Sequence, residues 1–437
     1  DQWRDLGCPG WGWDEVLPVL KKMESYPQGD ARLRGHDGPV HVRENRPDPL
    51  SEAFLDAAAQ IGIERVSDYN SCKTIGGSYL QTNTRNGWRW GTYEAYLRPA
   101  SRRQNLRIQT HAHVQRIAVT QGSASGVHYQ LRDAQGNVTH HHARARCEVI
   151  LSAGAYHSPK LLELSGIGAG HRLQKLGIPV VCDSPGVGEH LMDHLRVAIS
   201  MRCLRPITVN DIVHSPPRRI QAALQFAVFR SGWLATASMS AQAILASGFD
   251  GDRPDIKLQL NGVILKNQYD PKLGVETERY SGFSLLSFPI YPRSRGNVHL
   301  RSADPQADLD IRSNYLADPY DQNVTLCGLR AARRLSAQPA LRALIGEETL
   351  PGKGCDGDEK LLDFARRTGA TVFHPAGSCR MGNDPLAVVD HQLKVRGVDR
   401  LRVVDASIMP SLPATNTNAP TIMIGERAAQ WIAQDHL

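Results

Sequence analysis

The stretch that decides the fold is CEVILSAGAYHSPKLLELSGIG, residues 147–168. Its run 149–151 is continuously apolar and ends in small residues, which predicts a strand buried on both faces of a parallel sheet. The chain then enters a helix, for which Ser158 is the predicted N-cap and Gly166 the predicted end. Residues 147–168 therefore predict one strand-and-helix unit of an α/β fold.

A second unit of the same kind closes the chain, with LRVVDASIMP followed by APTIMIGERAAQWIAQ. Asp405 ends the predicted strand, so its carboxylate lies at the carboxyl edge of the sheet, where α/β folds bind ligands. Asn416 and Asn418 come just before the helix, whose first N–H groups have no partner inside the helix. This edge is predicted to bind an electron-rich ligand, with simple helix capping as the alternative for the two asparagines.

Outside these two units the pattern changes. Residues 105–119 alternate apolar and polar side chains and open a predicted β-meander. Residues 195–370 mix strands such as IKLQL and GFSLLSFPIY with helices, which predicts an α+β domain inserted into the α/β one. The predicted divisions are 1–194, 195–370 and a C-terminal segment, 371–437, that returns to the first domain and carries the active site.

Composition excludes several classes of protein. The 437 residues carry 51 Lys and Arg against 44 Asp and Glu, a net charge of +7, and 41% of them are hydrophobic. A chain of this length and balance is neither disordered nor a disulfide-stapled mini-protein, and its scattered charge does not indicate nucleic-acid binding. No apolar run is long enough to cross a bilayer, and no signal peptide is visible. The eight cysteines have no C-x-x-C spacing, which favours free thiols in a reducing compartment.

Histidine-rich stretches imitate metal sites without matching their geometry. His140, His141 and His142 lie on a predicted strand, where neighbouring side chains point to opposite faces and cannot converge on one ion. His190 and His194 have the spacing of one helical turn, but HLMDH lacks the glutamate of a zinc-protease helix. The sequence therefore predicts no metal site.

The segment TVFHPAGSCRMG, residues 371–382, contains the strongest catalytic candidate. His374 precedes a proline, which favours an extended backbone and gives the imidazole a defined direction. The small residues after it allow a bulky ligand to approach the backbone. Since imidazole titrates near neutral pH, His374 is a candidate proton acceptor, with a purely structural role as the alternative.

Taken together, these stretches resemble the glucose–methanol–choline (GMC) flavin oxidoreductases, in particular their bacterial choline- and alcohol-dehydrogenase branch. The matching segments follow one another along nearly the whole chain: WRDLGCPGWGWDEVLPVLKK, TRNGWRWGTYEAYLRPAS, LSAGAYHSPKLLELSGIG, SPGVGEHLMDHL, PRSRGNVHLRSADP, HPAGSCRMG and VVDASIMPSLPATNTNAPTIMIGERAA. So many motifs in one order make the match specific.

The resemblance implies a Rossmann-like FAD-binding domain with an inserted antiparallel-sheet substrate domain. It places His374 beside flavin N5 and makes Asn416 the second active-site residue. The other positions that match cofactor contacts are Val114, Ala153, Gly154, Asp405, Ala406, Asn418, Pro420 and Thr421.

One part of the family pattern has no match. The G-x-G-x-x-G fingerprint, the acidic residue after it and the glycine–serine loop nearest the flavin precede, in relatives, the segment matched by Asp1. The glycine-rich turn at 166–170 follows a helix, so we interpret it as a helix end and not as the fingerprint. The FAD-binding portion is therefore expected to be incomplete in residues 1–437, and a protein made of these residues alone is expected to be colourless, poorly soluble, or both.

The resemblance further implies oxidation of a primary alcohol, by removal of the hydroxyl proton and transfer of a hydride to flavin N5. A non-redox lyase on the same fold, similar to the hydroxynitrile lyases, and a flavin-free, non-catalytic fragment are the alternatives. We expect a small-molecule alcohol as substrate and no nucleic-acid partner, and leave open a quinone or other electron acceptor and an oligomeric state. The expected location is the cytoplasm, with peripheral attachment to the inner membrane left open.

Overall fold

The computed structural model describes residues 1–71, 73–266 and 276–436. Three strand systems organise these residues: a parallel pair, a three-stranded meander and a seven-stranded antiparallel sheet. The predicted combination of an α/β part with an inserted antiparallel sheet is confirmed.

The parallel pair joins the two units predicted at 147–168 and near the C-terminus. Val149–Leu151 pairs in parallel with Leu401–Val403. The prediction of burial on both faces is wrong for one face, because Leu151 is in the core whereas Ile150 is 46% exposed. Since strand side chains alternate, Ile150 points away from the cluster that buries Leu151. The helices that follow these strands are Gly154–Leu164 and Asn418–His436.

The meander consists of Ala112–Thr120, Ser123–Arg132 and Val138–Arg144, paired antiparallel in chain order. It confirms the predicted meander but begins later than the alternating pattern at 105–119 indicates. His111 adopts φ +56°, outside the extended region, and the first strand starts directly after it. The apolar residues upstream, Leu106 and Ile108, are consequently exposed.

The seven-stranded sheet is antiparallel throughout, and one strand comes from the N-terminal part of the chain. Its helices pack on one face and enclose the larger hydrophobic core. The order of the strands is Ile345–Leu350, Leu195–Cys203, Gly282–Pro289, Ile256–Asn261, Met239–Leu245 and Gly76–Tyr79, with Ala370–Thr371 paired to Leu195–Cys203. The packed helices are Pro49–Gln60, Pro319–Ser336, Pro339–Arg342 and Asp358–Thr368. The domain divisions at 194/195 and 370/371 stay a prediction.

Shorter elements connect these parts. The remaining helices are Gln2–Asp5, Trp13–Met23, Tyr93–Leu97, Arg98–Ala100, Gly170–Lys175, Val209–Val213, Pro216–Phe229, Trp233–Ala235 and Ala406–Ile408. The remaining strands are Glu24–Ser25, Val40–His41, Arg43–Glu44, Gln81–Thr82, Thr84–Arg85, Trp88–Arg89, Ile167–Gly168, Cys182–Asp183, Phe249–Asp252, Asn297–Leu300 and Leu309–Arg312. Within the described ranges, no helix combines the length and the apolar character that crossing a bilayer requires.

Candidate active site

Three segments that are distant in sequence run side by side at the site. Met192 and Ala376 exchange two backbone hydrogen bonds of 2.9 Å. Farther along the same segment, the N–H of Cys379 donates to the Ser407 carbonyl at 2.8 Å. The HPAGSCRMG segment therefore lies between the HLMDHL segment and the turn that follows Asp405, which brings both predicted motifs together.

Two buried histidines meet at this junction. The Nδ1 atoms of His374 and His194 are 3.0 Å apart, and both rings are almost fully buried. His194 Nε2 lies 2.8 Å from the Ile290 carbonyl, and since a carbonyl only accepts, this Nε2 carries a proton. Neutral His194 then accepts at Nδ1, so His374 donates from its own Nδ1. The free lone pair of His374 is therefore on Nε2.

Both imidazoles are held uncharged. Burial, and then the positive charge of the Lys257 ammonium, lower the pKa of His374 to about 4. Burial, followed by the charge on His374, lowers the pKa of His194 to about 3. At neutral pH, His374 is thus in the form that can accept a proton.

Asp193 fixes the backbone around the pair. Its Oδ1 accepts from the N–H groups of His194 at 2.8 Å and His374 at 3.0 Å. Its Oδ2 accepts from the Tyr315 hydroxyl at 2.6 Å and from the Thr371 hydroxyl. Burial raises the pKa of this carboxyl, while the four donors oppose that shift. One side chain thereby aligns both histidine backbones.

The residue before His374 is strained, as often occurs at functional sites. Phe373 adopts φ +63°, which is unfavourable for an aromatic residue, and its ring is 74% exposed. The Thr371 hydroxyl accepts a 2.8 Å hydrogen bond from the Phe373 N–H. This contact on one side of His374 and Pro375 on the other restrict the backbone to the conformation in which His374 faces His194.

Asp405 holds the strand ends together at the other motif. Its Oδ2 accepts from the Gly154 N–H at 2.9 Å and from the Ser158 hydroxyl at 2.5 Å, and its Oδ1 accepts from the Ser407 N–H. The prediction that Ser158 caps its helix is wrong: the helix begins at Gly154, so Ser158 is inside it. There its hydroxyl reaches back to Asp405 and to the Ala153 N–H, because serine oxygens compete for nearby backbone groups.

The surroundings of Asp405 fit a large, electron-rich cofactor. Gly154 has φ +82°, and a Cβ there would meet no other atom within 4 Å, so a ligand can approach this backbone closely. A cavity of about 780 Å³ is lined by Ala419 and Pro420, in the first turn of the helix Asn418–His436, but not by Asp405 or Gly154. That volume suits an organic cofactor, and the first turn offers N–H groups with no partner inside the helix.

The remaining predicted residues lie around the same region. Val114, Ala153 and Ala406 are half-buried and pack against one hydrophobic cluster. Thr421 donates its hydroxyl to the Thr417 carbonyl at 2.7 Å, and Asn418 reaches Asn83 at 3.5 Å. Asn416 is exposed, and its side chain has no hydrogen-bond partner among the residues described. The structure thus groups Ala153, Gly154, Asp405 and Ala406 most tightly, and the roles of all these residues stay predictions.

Sequence reasoning missed Asp193 and Lys257, and it considered His194 only as a metal ligand. His190 has φ +65° and lies outside any helix, so the assumed helical spacing does not exist. The sequence signal that could have revealed Asp193 and His194 is their adjacent pair in HLMDHL. The role of this pair becomes recognisable only when the contact between His194 and His374 is known. Within the described ranges, no three His, Cys, Asp or Glu side chains group as metal ligands.

Cys379 is the buried thiol of the HPAGSCRMG segment. Burial raises its pKa well above the usual range, and the carboxylate of Asp405 raises it further. A thiol in this state is a poor nucleophile. Its place beside the site therefore reflects packing of the segment against Ser407.

Known proteins resemble this chain over nearly its whole length. The family model for the N-terminal part of GMC oxidoreductases matches residues 1–196, and the model for their C-terminal part matches residues 292–425. An oxygen-dependent choline dehydrogenase of Rhizobium johnstonii is 38% identical over 435 residues, which are 99% of this chain and 77% of that protein. The mitochondrial choline dehydrogenase of Homo sapiens is 38% identical over 436 residues, covering 99% of this chain and 71% of that protein.

Solved structures share the fold. A pyridoxine 4-oxidase from Mesorbium loti superposes with a TM-score of 0.86 at 30% identity, covering 100% of this chain and 80% of that one. A formate oxidase of Aspergillus oryzae, in which FAD modification was studied, gives 0.89 at 25% identity with the same coverage. From two matched family models and 38% identity over almost its whole length, the chain belongs to the GMC oxidoreductase family.

Proposed function

We propose that this protein oxidises a primary alcohol, with His374 Nε2 as the atom that takes the hydroxyl proton. The enzyme is an FAD-dependent alcohol oxidoreductase of the GMC family. The observation that carries the proposal is the hydrogen-bond chain from the Ile290 carbonyl through His194, which leaves the acceptor lone pair of His374 on Nε2. The depressed pKa of His374 keeps that lone pair free at neutral pH.

The cofactor site proposed from the sequence has support in several contacts. Asp405 joins Gly154, Ser158 and Ser407, so it aligns the open backbone at 153–154 with the turn that begins at Ala406. Val114 packs against the same hydrophobic cluster as Ala153 and Ala406. Ala419 and Pro420, in the first turn of the C-terminal helix, line the 780 Å³ cavity. We assign FAD binding to these residues together with Asn418 and Thr421. When bound, FAD supplies the two-electron acceptor for the α-carbon hydride, which no side chain can provide.

The remaining roles follow from the chemistry of an alcohol that loses a proton. The alcohol oxygen gains negative charge as the proton leaves, so a hydrogen-bond donor there lowers the barrier. Asn416 is the proposed donor, because it is exposed next to Thr415, which lines the cavity. His374 receives the proton on Nε2, and His194 keeps the ring oriented by accepting from Nδ1.

Anaerobic reduction tests this function directly. A small primary alcohol mixed with the flavin-loaded enzyme without oxygen is expected to bleach the flavin absorbance, because the alcohol delivers two electrons. A lyase would turn over its substrate with the absorbance unchanged, and a flavin-free protein would have no absorbance to lose. Persistence of the yellow colour with a panel of primary alcohols would contradict the proposal.

Replacement of Asp405 by asparagine is expected to weaken FAD binding. Asparagine is isosteric but neutral, and a hydrogen bond to a charged acceptor contributes about 1.5–3 kcal/mol. Loss of that contribution from the contacts that align Gly154 corresponds to a ~10- to 100-fold rise in the Kd for FAD. Flavin fluorescence during dilution of the holoenzyme measures this Kd, and circular dichroism confirms that the variant is folded. Asp308→Asn, at an exposed position, is the matched control, and an unchanged Kd in the Asp405 variant would refute the assignment.

A further inference from the structure

Lys257 is a buried cation beside the histidine pair. It lies in the strand Ile256–Asn261, in the interior of the sheet, and is only 4% exposed. Its ammonium is 5.7 Å from the centre of the Phe288 ring. The centre of the His194 ring is 5.8 Å from the centre of the same Phe288 ring. Lys257 and Ile290 also both line the 780 Å³ cavity. The ammonium therefore contacts the same aromatic ring as His194, and its positive charge acts on His374.

This ammonium lacks the partner that a buried charge requires. No carboxylate or other acceptor within the described ranges hydrogen-bonds to its Nζ, although a buried lysine is rarely stable without one. Burial lowers the pKa of Lys257 to about 8, which leaves most molecules protonated at neutral pH. The cavity wall thus carries an unpaired positive charge, and this charge lowers the pKa of the proposed proton acceptor, His374.

Each of the other charged side chains that line the cavity has an ion-pair partner. The carboxylate of Glu24 forms a 2.7 Å ion pair with Arg34, which also pairs with Asp68 at 2.7 Å, and that of Asp1 forms a 3.0 Å pair with Arg4. Arg253 stacks on Tyr291 at 3.6 Å and pairs with Asp250. Neither lining carboxylate is free to neutralise a cationic ligand, and in the described part of the cavity wall Lys257 is the charged side chain without an ion pair.

The sheet face that carries Lys257 continues as a polar row. Gln242 lies directly opposite Gln259 on one side and Ser78 on the other, and all three are buried. Strand alternation places Gln259 on the same face as Lys257. Both amide atoms of Gln242 and the Ser78 hydroxyl have no hydrogen-bond partner in the described structure. Buried polar groups normally have hydrogen-bond partners, so these unpaired groups indicate that a polar ligand or water forms the missing hydrogen bonds.

We propose that Lys257 selects substrates by charge: the alcohol oxidised at this site carries a carboxylate, and quaternary ammonium alcohols such as choline are disfavoured. This inference rests on the proposed alcohol oxidation, of which it names the substrate class. A carboxylate gives the buried ammonium its missing ion pair, whereas a trimethylammonium group would enter a cavity that already holds an unpaired like charge. Discrimination then comes from attraction of one class and repulsion of the other.

Matched alcohols that differ only in charge test this. One pair is γ-hydroxybutyrate and its neutral amide, and the other is choline and its neutral tert-butyl analogue, in which carbon replaces nitrogen. With the flavin-loaded enzyme, we expect kcat/KM for flavin reduction to be ~10-fold or more higher for the carboxylate than for the amide, and ~10-fold or more lower for choline than for its analogue. In Lys257→Met both ratios should approach one, while Lys175→Met, at an exposed position, should keep them.

A binding measurement separates this inference from the oxidation itself. Butyrate and tetramethylammonium have no hydroxyl to oxidise, and calorimetry with the same holoenzyme compares their affinities. Butyrate is expected to bind more tightly, and the Lys257→Met variant to lose ~10-fold or more of that affinity. Three outcomes would overturn the role of Lys257 while alcohol oxidation stands. They are a higher kcat/KM for choline than for its neutral analogue, equal kcat/KM values within each pair, and tighter binding of tetramethylammonium than of butyrate. Tight, Lys257-dependent binding of butyrate without flavin reduction by any alcohol would overturn the proposed oxidation and leave the carboxylate site standing.

Discussion

Replacing His374 by alanine in the full-length, flavin-loaded enzyme is expected to leave FAD bound and to lower kcat for alcohol oxidation by ~10² to 10⁴, the usual contribution of a general base. In the hydrogen bonds described, three of the four ring nitrogens of His374 and His194 are occupied. The fourth, Nε2 of His374, keeps a free lone pair that can accept a proton. Steady-state kinetics with the absorbance spectrum of the variant measures both effects. His171→Ala, in an exposed position of the helix Gly170–Lys175, is the matched control. An unchanged kcat at neutral pH would remove His374 from the mechanism.

The same residue sets an expected pH dependence. Because burial and Lys257 depress the pKa of His374 to about 4, the ring stays an unprotonated acceptor well below neutral pH. Protonation at lower pH removes the acceptor, so kcat/KM should fall as the pH approaches 4 and not near the ordinary imidazole value of ~6.5. A fall centred near the ordinary value would mean that the ring is solvated in the working enzyme.

Replacing His194 by phenylalanine is expected to lower kcat by ~10² with a much smaller change in KM, because an imidazole in the wrong tautomer cannot take the proton. Phenylalanine leaves the Nδ1–H of His374 without its 3.0 Å acceptor, so the proton can move to Nε2, the atom that must be free. His194 touches no reacting atom in this scheme and acts by positioning His374.

The conservative variant makes that role testable. In His194→Asn, the side-chain oxygen can lie near the former Nδ1 and accept from His374, so most of the lost activity should return. Thermal denaturation and flavin absorbance show whether both variants remain folded and loaded. If asparagine and phenylalanine reduce kcat equally, the loss reflects packing, and the tautomer argument fails.

Local sequence patterns predict the elements of this fold well because their signals are local. The apolar run at 149–151, the alternation in the meander and the strands between 195 and 370 all become strands. One error occurs where a distant contact decides the outcome. Ser158 resembles a helix cap, but its hydroxyl is bound by Asp405, 247 residues away.

The site was predictable only in part for the same reason. His374 and Asp405 lie in recognisable motifs, so their positions are accessible from the sequence. His194 acquires its role through a contact across 180 residues, and Lys257 through burial beside it in a sheet whose strand order no local pattern reveals. A lysine within IKLQL is indistinguishable from a solvated strand residue until the strands on either side are known.

Lys257 lies on a sheet strand that is separate from the two hydrogen-bonded segments that carry His374 and Asp405. This separation affects how the substrate preference of such an enzyme can change during evolution. His374 and Asp405, the proposed proton acceptor and the proposed cofactor-binding carboxylate, lie on segments joined by backbone hydrogen bonds, so a change in one segment disturbs the other. The strand Ile256–Asn261 is supported from behind by helices and can exchange an inward-facing side chain while its backbone pairing persists. Substrate preference can therefore drift through single substitutions on that strand while the oxidation chemistry is inherited unchanged.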